Sequence, residues 1–141
     1  MTRLSLLRGV ILILILAGTL QPAAAASCLP HFPYKHGWLG GDSGYSIPLS
    51  ATRTLWLFGD SFVARATSKN RDGASMVGNS IAISQCDGNG TWSIDYFWGK
   101  MYAVQPRAFF APPASDKLWP KDGFILDGKL YLFLDEINNK S

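Results

Sequence analysis

Residues 55–64 read LWLFGDSFVA, an apolar run that ends in Gly-Asp-Ser, and Asp60 and Ser61 are its two reactive side chains. Upstream lies a second aspartate, Asp42, in GGDSGYSIPLS, and the segment between them reads as a hairpin turning near Ala51. That turn sets Asp42 opposite Asp60, where cross-strand Cβ atoms stand about 4.5–5.5 Å apart. Like charges so placed destabilise a hairpin and push one carboxyl toward its protonated form. One proton donor and one carboxylate are what glycoside hydrolysis requires, with separations of about 5 Å for retention and about 6.5–9.5 Å for inversion. The structural alternative is that Asp42 caps a turn and Asp60 bonds to the following loop.

A third carboxylate, Asp122, recurs in WPKDGFILDGKLYLFLD. Residues 40–60 and 120–135 share an aspartate near glycine, an apolar strand, a turn, a basic residue and then Leu-aromatic-Leu-Phe, so that Trp56 aligns with Tyr131, 75 residues on. A repeat this long suits a four-stranded propeller blade with extended loops. It sets Asp122 at the place of Asp42 and turns both toward a common axis. Trp38, Trp98 and Trp119 offer flat faces for a sugar ring, Trp38 first because it is four residues before Asp42. Asn79 either hydrogen-bonds a substrate or shapes the entry to a strand.

Strands are expected at 44–50, 53–59, 79–86, 91–98, 123–126 and 129–134, where β-branched and aromatic residues alternate with turn formers. Asp87-Gly-Asn-Gly90 and Asp127-Gly128 mark turns, the latter a favoured two-residue hairpin connection. Residues 66–78 and 105–117 read as loops, the second because its prolines oppose a central strand. The fold class is therefore all-β, a partial β-propeller comprising a first blade and the start of a second, and the chain reads as the N-terminal portion of a longer domain.

Arg3 and Arg8 precede an apolar core at 9–20 and an alanine run, the pattern of a secretory signal peptide over residues 1–26 cleaved after Ala26. Residues 27–141 then form one domain, periplasmic or extracellular. Without the leader the chain holds 11 Lys+Arg against 10 Asp+Glu, which gives no argument for nucleic acid as a partner. No membrane span is expected after cleavage. Cys28 and Cys86 enter an oxidising compartment, where a disulfide is the default, with lipidation of Cys28 or two free thiols as the alternatives. No Cys and His stand at metal-ligand spacing, so neither a metal nor another cofactor is expected.

Gly-Asp-Ser at a strand end also resembles the first motif of GDSL-type serine hydrolases, in which Ser61 would be the nucleophile. That family's histidine lies near the C-terminus, whereas His31 and His36 both precede Ser61. More extensively, GWLGGDSGYSIPL, RTLWLFGDSF, NSIAIS and WPKDGFILDGKLYLFL resemble the bacterial secreted family catalogued as domain of unknown function 4185, over roughly residues 37–134. The resemblance implies a five-bladed, glycosidase-like propeller, kin to glycoside hydrolase family 43. It further implies a hydrolase of arabinofuranoside-type linkages in bacterial or plant polysaccharide, with Asp42 and Asp60 as catalytic residues and Asp122 opening the second blade. The competing class is a non-catalytic glycan-binding or surface protein on the same fold.

Overall fold

The computed structural model describes residues 28–101, 105–111 and 117–137, so the expected leader and its expected cleavage site lie outside the described residues. Nine strands form antiparallel sheets that are not closed, and no helix occurs among the described residues. β1 (Trp38–Pro48), β2 (Arg53–Val63), β4 (Ser80–Cys86) and β5 (Trp92–Phe97) pair in that order as a meander. The short β3 (Ser75–Val77) pairs with the far end of β2, along the same edge that β4 occupies nearer the turn. β6 (Gly99–Met101) and β7 (Gln105–Arg107) form a small ribbon. β8 (Lys117–Leu126) and β9 (Lys129–Ile137) form a second hairpin, closed by Asp127 and Gly128, both at positive φ. A four-stranded meander followed by the hairpin of another sheet is a partial β-propeller, one blade and the opening of the next.

Several strands run beyond their expected limits. β1 begins at Trp38 and β2 continues through Gly-Asp-Ser to Val63, so the expected site residues lie within the sheet. β3 and β7 fall in stretches expected to be loops. β8 starts at Lys117 and includes Pro120. A two-stranded ribbon leaves one edge of each strand unpaired, and a bulge follows Pro120. There a proline's missing N–H costs no ladder bond.

β2 lies between β1 and β4 and is apolar on both faces. Leu55 and Leu57 turn to one side and join Ile47 and Ile81, against which Phe110 and Leu132 of β9 pack. Phe58 turns to the other side with Trp38, Val63, Val77, Ala82 and Ile94, flanked by Phe32, Trp56 and Tyr96. Leu39, Leu57 and Val63 are wholly buried. The second hairpin thus covers one face of the blade and the segment ahead of β1 part of the other. A disulfide from Cys28 to Cys86 ties that segment to the end of β4.

Tyr96 stacks on Trp38 with ring centroids 4.0 Å apart and planes 6° from parallel. Its hydroxyl is buried without a hydrogen-bond partner, and burial pushes it well above the usual tyrosine range. The unfolded chain would ionise near pH 10 while the folded one resists, so this contribution holds below about pH 10 and is lost above it. Tyr96→Phe should raise stability at neutral pH by about 1 kcal/mol, because it removes a buried unpaired hydroxyl. It should also flatten the alkaline fall above pH 10, and urea unfolding across pH 7–11 reads both effects. The disulfide closes a loop with a sequence separation of 58. Replacing both cysteines with serine should cost about 4 kcal/mol on the chain-entropy account, read as a lower urea midpoint that matches the reduced wild type.

Candidate active site

β1 and β2 pair regularly from Pro48↔Thr54 to Tyr45↔Leu57, and the register then breaks, with irregularities between Trp38 and Tyr45. Gly41 faces Ser61 and Ser43 faces Phe58, so Asp42 lies across from Gly59 and Asp60 inside the bulge. Ser43 and Gly44 both adopt positive φ, 69° and 80°. For serine this left-handed conformation costs about 1–2 kcal/mol, and such strain concentrates at functional sites. Gly59 makes room for Asp42, whose Oδ1 occupies the space that a Cβ on residue 59 would need. Expected register and observed register agree along the regular part of the hairpin, and the bulge re-aims Asp42.

Asp42 and Asp60 line one open cleft of about 330 Å³, with Gly41, Phe62, Arg71 and Met76. Arg71 comes from the polar loop between β2 and β3 and folds back over the sheet. Its Nε donates to Leu39 O at 3.0 Å, and its guanidinium carbon stands 4.5 Å from the centre of the Phe62 ring. Nη2 lies where a side chain on Gly40 (φ 115°) would be. A backbone bond and an aromatic face thus fix one cation beside two carboxylates. From the second hairpin, Lys117 Nζ stands 3.6 Å from Asp60 Oδ1. That is close enough for attraction and too far for a hydrogen bond, so Asp60 Oδ1 is a buried acceptor without a donor.

The other expected site residues go elsewhere. Trp38 is 2% exposed, inside the core, and does not present its ring to a ligand. Its indole N–H donates to Ser80 Oγ at 3.1 Å, Ser80 and Ser61 hydroxyls are 2.8 Å apart, and Ser61 donates to Gly59 O at 2.9 Å. One consistent chain of donors satisfies all four groups. Ser61 is therefore a fully buried link in the core, and neither histidine is among the residues lining this cleft. Asn79 is also fully buried, at the break between β3 and β4. Its Nδ2 donates to Phe110 O (2.9 Å) and Leu118 O (2.7 Å), and its Oδ1 accepts from Phe110 N (2.8 Å). It shapes the strand entry and does not face a substrate. Trp98 packs against the core, and Trp119 Nε1 is buried without a partner.

Asp122 is exposed, accepts from Gly123 N at 2.7 Å and is not among the residues lining the cleft. The repeat is offset by one residue from the expected alignment: Phe58 faces Ser43, and its counterpart Phe133 faces Asp122. Asp122 therefore takes the place of Ser43, beside a bulge as Ser43 is. Asp135 takes the place of Asp60 and pairs with Lys121 at 3.3 Å. Arg71 and Lys117 were not legible as site residues, because a loop and a separate strand bring them in, whereas Phe62, two residues after Asp60 on β2, carried that spacing as its signal. Among the described residues, no group of three or more His, Cys, Asp or Glu is placed to hold a metal ion.

Fold and cleft together define an all-β, propeller-type domain with two carboxylates and a fixed guanidinium in one open site. The chain belongs to the family described as domain of unknown function (DUF5005), whose model matches residues 30–141. The matching model is thus DUF5005, not that of the DUF4185 family which the motifs resemble. No curated protein and no solved structure matches the chain.

The Asn79 amide joins the blade to the second hairpin, so Asn79→Ala should strip three backbone groups of their partners. A loss of about 3 kcal/mol is expected, seen as a lower urea midpoint and faster hydrogen exchange at the Phe110 N–H, which donates to Asn79 Oδ1.

Proposed function

We propose that this is a secreted glycoside hydrolase-like protein in which Asp42 and Asp60 act on polysaccharide, with arabinofuranoside-type linkages as the first substrate class. The observation that carries the reading is the Asp60 carboxylate. One of its oxygens is buried in the cleft wall without a donor, Asp42 stands across the strand pair, and Arg71 is anchored beside both. Catalytic hydrogen bonds are often long before substrate arrives, and an unsatisfied carboxylate in a cleft is a group with capacity to spare. Asp42, on a strained bulge, is the partner carboxylate of the pair. Phe62 and Met76 supply the apolar wall. The motif resemblance to the 4185 family and the leader-like residues 1–26 support the same reading, including export from the cytoplasm.

A second reading, a non-catalytic glycan-binding protein, is favoured by one observation. Asp60 is paired with Lys117 as Asp135 is with Lys121, so an aspartate–lysine pair at this strand position also serves the sheet. Hydrolysis of a panel of arabinans, fructans and other bacterial polysaccharides separates the two. Reducing-sugar release by the mature chain, lowered at least about 10²-fold in both Asp42→Asn and Asp60→Asn, is the expected result if each carboxylate takes part in proton transfer. Retention on polysaccharide without product release, by a protein with a cooperative unfolding transition, would move the assignment to binding.

A further inference from the structure

A second concavity, of about 400 Å³, opens on the same blade around Trp56, Trp92 and the Cys28–Cys86 disulfide. It shares no residue with the cleft that holds Asp42 and Asp60. Ser46, Thr52 and Thr54 bring hydroxyls to it, Pro30 and Pro48 add apolar wall, and no ionisable side chain is among its lining residues. Trp56 and Trp92 meet edge to face with centroids 6.2 Å apart. Both indole N–H groups are already engaged within the protein, Trp56 with Ser84 Oγ at 2.8 Å and Trp92 with His31 O at 3.0 Å.

We infer that this concavity is a binding site for a neutral saccharide, separate from the carboxylate cleft. The chemistry follows from what the wall offers. With both N–H groups occupied, the indoles present only π faces and edges, which suit the C–H face of a pyranose or furanose ring. Hydroxyls both donate and accept, and so match sugar hydroxyls, which do the same. A charged ligand would lose its hydration and find no counter-charge. A polyproline-type peptide, whose bare carbonyls need donors, would find the indole donors taken. The disulfide and the two internal indole bonds hold the wall in place before any ligand arrives, which lowers the entropy cost of binding. The inference does not rest on hydrolysis at Asp42 and Asp60.

The test uses the mature chain and three neutral oligosaccharides, arabinohexaose, xylohexaose and cellohexaose, with hexagalacturonate as the anionic control and decaproline as the peptide control. Binding is followed by indole resonances in NMR titrations and by calorimetry. At least one neutral oligosaccharide should shift Trp56 and Trp92. Trp92→Ala should weaken that binding about tenfold, the scale of one aromatic stacking contact, and Trp92→Phe should recover most of it. Ser46→Arg, at an exposed position on β1, fills the concavity without touching the core and should abolish binding in a folded protein. Asp42→Asn and Asp60→Asn should leave it unchanged, so failure of the hydrolase reading and failure of this one are distinguishable. No binding by the folded wild type, binding insensitive to Ser46→Arg, or preference for hexagalacturonate or decaproline would overturn the inference.

Discussion

β2 is apolar on both faces and stands between two partners, so the sheet cannot rest with either face in water. Leu55 and Leu57 demand one cover and Phe58 another. The second hairpin meets the first demand, and the Trp38–Tyr96 stack with Phe32 meets part of the second. Burial of this order, a few kcal/mol for each large apolar side chain, is what draws the second hairpin onto the blade. It thereby brings Lys117 to Asp60. The site's electrostatics is thus a by-product of a packing requirement that begins in the middle of the strand.

Polar groups in so apolar a setting have to be paired, and two devices achieve this. The chain from Trp38 through Ser80 and Ser61 to Gly59 O engages the residues on either side of Asp60 in β2. It pins the backbone there. The Asn79 amide serves backbone groups of two separate segments and locks the blade to the hairpin. Residues with the look of catalytic chemistry, a serine after Gly-Asp and an asparagine at a strand entry, turn out to be the internal fixings that make a nearby surface rigid.

That rigidity is expressed at two places of opposite character. At the bulged end of β1 and β2 the wall is charged, with two carboxylates and one anchored guanidinium, and Lys117 stands behind it 3.6 Å from Asp60 Oδ1. Near the hairpin turn it is neutral, made of indole faces and hydroxyls beside the disulfide. The twist and alternation of a single strand pair connect them, since Trp56 and Asp60 are four residues apart on β2.

Alternation of apolar residues, the Asp-Gly turn and the Leu-aromatic-Leu-Phe repeat were enough to read an all-β chain with two related hairpins, because period-two patterning and turn chemistry are local properties. The register of the regular part of the first hairpin, from Pro48 and Thr54 to Tyr45 and Leu57, was legible for the same reason, since it follows from where the turn lies. What sequence did not determine was burial of single side chains. Trp38 and Trp92 are alike as letters, yet one is core and the other lines a concavity, because that depends on which segments cross above them. Nor did it reveal that Asp122 stands opposite Phe133, at the place of Ser43 and not of Asp42, or the return of Arg71 onto Phe62. These are decided by the tertiary structure, where long-range packing, acting over many residues at once, outweighs any preference that a short stretch of sequence carries.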